Sequence, residues 1–177
     1  RFFPDNDFQA DLIIKHAFNY TPLKKNRLTN IPKLVIWDLD NTLWEGILIE
    51  GDVELRTSIV QTIKHLDSIG IVNSLVSKND FNNALSELKR FGLDEYFVYP
   101  KINWNPKSEN IRALLQEINL LEQDVVFVDD SPFERADIRA SFSEMIIVDQ
   151  LTFPDLLIDI QLLDISIDET AVNRRVL

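Results

Sequence analysis

Two pairs of carboxylates stand out in this 177-residue chain. Asp38 and Asp40 follow the apolar run "KLVIW", and Asp129 and Asp130 follow "VVFV". Both pairs stand where a buried strand would end. A buried, unpaired charge costs on the order of several kcal/mol, comparable to the whole stability margin of a domain. A turn-capping role would account for either pair alone. Two acidic strand ends in one sheet would repel each other unless a cation lay between them. A divalent cation prefers such oxygen ligands. Of two carboxylates in one pocket, one can attack while the other handles protons.

Two further clusters fall between the acidic pairs. In "SLVSKND", Ser77 ends a second apolar run, and Asn79 and Asp80 lead into a helix. A hydroxyl beside the free backbone N–H groups of a helix start suits an anion, although a serine there is also an ordinary cap. In "NWNPKSENI", Lys107 falls in the first turn of a helix, where it opposes the helix dipole. A partner anion would explain it; so would plain surface exposure.

The elements that must position these residues alternate. Continuous apolar strands are expected at 33–37, 71–77, 125–129 and 145–149, with a short one in "YFVYP". Helical spacing runs from Thr57 to Ile69, Asp80 to Phe91 and Ser108 to Leu120, with Gly70 and Gly92 closing the first two. "GILIEGDVELR" reads as a hairpin turning at Gly51-Asp52. The expected fold is therefore α/β, a Rossmann-like three-layer sandwich around a central parallel sheet. In such sheets ligands sit beyond the carboxyl ends of the strands, where every polar cluster above falls.

Composition narrows the partners. A net charge of −11 argues against nucleic acid and against an anionic membrane surface. No cysteine is present, so disulfides, thiolate metal sites and a cysteine nucleophile are excluded. No apolar stretch reaches transmembrane length, no signal-peptide hydrophobic region precedes the core, and the chain starts without Met. The expectation is a cytoplasmic piece of something longer. Its parts would be a wrapping segment or linker at 1–32, a catalytic core at 33–150 and a helical extension at 151–177. His16 and His65 are read as surface or packing residues.

Carboxylate pair, hydroxyl, lysine, carboxylate pair: in that order the four clusters resemble the motifs of the haloacid dehalogenase superfamily of phosphatases and phosphotransferases. The resemblance covers about Lys33 to Asp149. "DLDNTLW", "SKND", "NPKSENI" and "FVDDSPFER" are more narrowly similar to subclass IIIC, which includes the FkbH-like domains of polyketide and non-ribosomal peptide assembly lines. The resemblance implies that Asp38 takes up a phosphoryl group and that Asp40 serves as acid and base. It further implies that Ser77, Lys107 and Asn79 hold phosphoryl oxygens, and that Asp38, Asp40, Asp129 and Asp130 provide the Mg²⁺ site. Asp40 speaks against actual dehalogenation, which needs no such proton donor.

Between Trp44 and Thr57 there is room for a small hairpin flap, not a cap domain. An open site of that kind admits a bulky substrate, and an acyl carrier protein joins a phosphorylated small molecule as a candidate partner. FkbH-like domains that form glyceryl thioesters commonly carry a cysteine just before the serine of the second motif. Here Val76 takes that place, so no thioester can be held on this chain. Three functions stay open: phosphoryl chemistry serving natural-product assembly, general phosphohydrolase activity, and a non-catalytic binding role.

Overall fold

The computed structural model describes residues 31–158 and 160. The segment expected at 1–32 and most of the extension expected at 151–177 therefore lie outside the described residues, as does His16. Residues 30–154 form one compact unit. Among the described residues, no helix is long and apolar enough to cross a membrane.

β1, Leu34–Trp37, is the centre of the unit, and all four of its residues are buried. Such a strand carries no alternation because both of its faces are covered. β2 (Trp44–Glu45) and β3 (Glu54–Leu55) form a small antiparallel pair beyond it. Helix α1, Thr57–Ser68, then leads back to β4, Val72–Ser77. Helix α2 (Phe81–Arg90), β5 (Lys101–Ile102) and helix α3 (Lys107–Ile118) follow. β6 (Val125–Val128), helix α4 (Pro132–Ser141) and β7 (Ile146–Val148) complete the order. The five-stranded sheet runs β5-β4-β1-β6-β7, and its pairs are parallel.

Parallel strands place all their carboxyl ends on one edge of the sheet, so the residues after β1, β4 and β6 meet there. Two cores hold that edge rigid. On one face Leu34, Ile36, Val76 and Phe127 pack with Ile111 and Leu114 of α3 and Ile138 of α4. Toward α1, the Trp37 indole Nε1 donates to Asn73 Oδ1 at 2.9 Å, and Asn73 Nδ2 donates to the Ile63 carbonyl at 3.3 Å. The polar atoms of this buried pair are thereby satisfied. The Trp37 ring also packs on Phe153, centroid to centroid 4.8 Å.

Two local expectations differ from what forms. "YFVYP" is not a strand. Phe97 makes a single bridge to Asn73, Tyr99 adopts a left-handed φ of 47°, and the strand starts two residues later at Lys101. A left-handed residue cannot continue an extended run, so the aromatic composition there is misleading. The hairpin is real but longer than expected, because Leu48–Glu50 coil into a 3-10 turn and pairing is confined to β2 and β3. Gly46, at φ 98°, makes the entry into that loop possible.

Candidate functional site

Asp38 is the first residue beyond β1. Its backbone N–H still donates to the Val128 carbonyl at 2.9 Å, so the ladder to β6 fixes its position. Its side chain is only 7% exposed. Ser77, buried at the end of the neighbouring β4, brings its hydroxyl to the side of the Asp38 carboxylate, where it favours the charged form. Asp129 is placed in the same manner beyond β6, with its N–H donating to the Val148 carbonyl at 3.2 Å. Its Oδ1 accepts from the Ser131 N–H at 2.8 Å.

Lys107 joins the two acids. As the first residue of α3 it projects from the helix start and is buried. Its Nζ lies 2.9 Å from Asp38 Oδ1 and 2.6 Å from Asp129 Oδ2. The anion that a lysine at this position calls for is thus a pair of carboxylates from different strands. Burial by itself would push the Lys107 ammonium down, but the attraction of Asp38 and Asp129 outweighs it and holds the group above its ordinary value. Burial raises both carboxyls, with Lys107 and the Ser77 hydroxyl opposing the shift at Asp38, and the charge of Asp38 adding to it at Asp129. Asp130 is raised too, by burial and then by the charge of Asp129.

One ammonium does not balance this edge. Oxygens of Asp38, Asp129 and Asp130 lie within 4.8 Å of one another, two of the three residues buried. Hard carboxylate oxygens converging at that spacing, under-compensated by one lysine, fit a divalent cation such as Mg²⁺.

Asp40 stands apart from that group. Its Oδ1 accepts from the Trp44 indole N–H at 2.8 Å and from the Leu48 N–H at 3.1 Å, and its Oδ2 accepts from Asn79 Nδ2 at 3.0 Å. The turn that aims it there depends on Asn41, at φ 55°, whose Oδ1 accepts from the Gly46 N–H at 3.1 Å. Asn79, expected on a phosphoryl oxygen, has its amide on Asp40 in this structure. Of the tryptophans that flank these motifs, Trp44 is fully buried and Trp104 is 62% exposed.

Ser77 does not cap α2; Asp80 does, with its Oδ1 accepting from the Asn83 N–H at 2.9 Å. Two supporting residues escaped the residue-by-residue reading. Thr42 is fully buried, and its Oγ1 accepts from the Asp130 N–H at 3.0 Å, tying the turn after β1 to the end of β6. Arg135 donates to the carbonyls of Asp129 at 2.6 Å and Asp130 at 2.7 Å, fixing the acidic dipeptide from behind. Their only signal is membership of the strings "DNTLW" and "SPFER".

A sequence comparison with known families matches residues 44–144 to the haloacid dehalogenase-like hydrolases. The Homo sapiens protein named magnesium-dependent phosphatase 1 is 26% identical over 123 residues, 58% of this chain and 70% of that protein. Among solved structures, the N-terminal part of a Bacteroides fragilis protein, containing a phosphatase domain complexed with Mg, superposes with a TM-score of 0.67 at 24% identity. That match covers 75% of this chain but only 40% of the other. A haloacid dehalogenase-superfamily hydrolase from Ehrlichia chaffeensis gives a TM-score of 0.60 at 15% identity, covering 75% of this chain and 98% of that one. These structures share the fold.

Proposed function

Because the chain belongs to the haloacid dehalogenase-like hydrolase family, we propose that it is a Mg²⁺-dependent phosphatase or phosphotransferase working through an aspartyl-phosphate on Asp38. One observation carries this reading: Asp38, Lys107 and Asp129, from three separate segments, are linked by direct ion pairs at one edge of the sheet, where Ser77 also ends its strand. The likeness to a phosphatase named as magnesium-dependent supports it.

The chemistry follows from the residues. A carboxylate oxygen of Asp38 attacks phosphorus, an oxygen–phosphorus bond forms, and the bond to the leaving oxygen breaks. Asp40 delivers a proton to that leaving oxygen; its carboxyl is aimed by Trp44, Leu48 and Asn79. In the second half Asp40 removes a proton from water, which attacks phosphorus and returns Asp38 as a carboxylate. The Ser77 hydroxyl and the Lys107 ammonium hold the phosphoryl oxygens, and positioning with charge neutralisation is most of what phosphoryl transfer requires. Asp38, Asp129, Asp130 and the Asp40 carbonyl would hold Mg²⁺, which supplies further neutralisation of phosphoryl charge when bound.

For the natural substrate we favour a phosphorylated small acid or acyl phosphate of the kind handled by FkbH-like domains, with an acyl carrier protein as acceptor. The motif strings at 38–44, 77–80, 105–111 and 127–135 support this. A general phosphohydrolase is the second reading, favoured by one observation: the residue before Ser77 is Val76, a buried side chain with no thiol to hold an acyl group.

The test is turnover of an aryl phosphate with Mg²⁺ by the native chain and by Asp38→Asn. We expect a loss of about a thousandfold or more in the variant and a phosphorylated Asp38 trapped in the native chain by rapid quench and mass spectrometry. Equal turnover by both proteins ends the proposal. Acyl phosphate turnover that depends on an added carrier protein selects the first reading over the second.

A further inference from the structure

The segments that follow the parallel strands carry several cationic side chains, and these are not equivalent. Arg56 bonds Glu45 at 3.0 Å at the base of the flap. Lys107 is buried between Asp38 and Asp129. Arg135 is held by two backbone carbonyls, with Asp149 3.8 Å away. Lys78 differs from all three. It sits between the buried Ser77 and Asn79, the second of which bonds Asp40, yet its own side chain is 37% exposed. Its ammonium meets Glu134 Oε1 at 2.7 Å.

Lys78 follows β4, and Glu134 lies in the first turn of α4, after β6. The pair therefore joins the segments on either side of β1. Neighbouring strands lie about 4.8 Å apart, so the bridge spans roughly 10 Å across the end of the strand that presents Asp38. A partly exposed ion pair of this kind is held weakly in water, so an incoming anion can replace the Glu134 carboxylate.

We propose that Lys78 is a specificity-determining residue that receives a second anionic group of the substrate, given up to it by Glu134. The site then selects phosphomonoesters whose leaving group ends in a carboxylate or a second phosphate. The inference rests on the phosphatase reading above. Without such a cation, Asp38, Asp40, Asp129 and Asp130 would repel a charged leaving group. Glu134 keeps the lysine extended across the opening until the ligand arrives.

Three ligands share one carbon skeleton and differ at the far end: glycerol phosphate with a hydroxyl, phosphoglycerate with a carboxylate, glycerol bisphosphate with a phosphate. Competition against p-nitrophenyl phosphate hydrolysis gives an inhibition constant for each, and the preference is the ratio of each charged ligand to glycerol phosphate. The native chain should prefer one or both charged ligands, and which of them shows the largest ratio identifies the group. Lys78→Met should lower that preference about tenfold, the scale of one charge-assisted hydrogen bond. Lys78→Arg should retain most of it, and Glu134→Gln should raise it. Preferences unchanged in Lys78→Met, or moving the same way in Lys78→Met and Glu134→Gln, would mean that the pair only ties two segments together, and the proposal falls. If the native chain hydrolyses no aryl phosphate, the phosphatase reading fails by itself. Calorimetric titration of the same three ligands then measures the preferences directly, and the same outcomes decide.

Discussion

Lys107 keeps apart, and holds in place, two buried carboxylates that would otherwise repel each other. Removing one member of a buried ion pair costs about 3–5 kcal/mol, because the remaining charge has lost its partner. Lys107→Met should therefore melt well below the native chain in the presence of a chelator. Mg²⁺ should raise the melting temperature of the variant more than that of the native chain, since the ion would become the only counter-charge for Asp38 and Asp129. No Mg²⁺ shift in either protein would show that no cation is shared there. The sequence revealed Lys107 through its awkward place at a helix start, and it revealed the acids through their place at strand ends. It did not reveal that lysine and acids are one another's partners, because the residues are 69 and 22 positions apart and only the sheet order brings them together. The Asp40–Asn79 bond was hidden for the same reason.

The flap illustrates how an element can serve chemistry without touching substrate. Trp44 begins β2, and its indole N–H holds one oxygen of Asp40 while its ring packs 6.4 Å from that of Phe91. Trp44→Phe keeps most of the apolar contact and deletes the hydrogen bond. Its expected signature is a loss of roughly tenfold in kcat, the effect of one misaimed proton donor, with the melting temperature within a few degrees of native. A collapse in stability with kcat intact would assign Trp44 to packing alone. Sequence patterning was a good guide where periodicity was strong, as in α1 and α3. It failed at "YFVYP" because β propensity reflects packing context, and the left-handed Tyr99 is a backbone choice that side-chain composition does not announce.

At the scale of the whole unit, chemistry and stability occupy different layers. Leu114 of α3 is buried in the cluster beneath the sheet, away from the polar edge. Leu114→Ala should cost about 2–5 kcal/mol, read as a lower denaturant midpoint, while KM for an aryl phosphate stays within about twofold. A large KM change at moderate temperature would show that the core tunes the site. The α/β class was legible because fully apolar strands alternating with amphipathic helices permit few other arrangements. One detail of the ladder reaches further. Asp38 donates its amide into β6 and Asp129 into β7, so the reactive groups are stitched into the register of the strands themselves. Warming cannot loosen them ahead of the scaffold. Thermal inactivation should coincide with the loss of far-ultraviolet circular dichroism, and a protein that went silent while its sheet persisted would contradict that coupling.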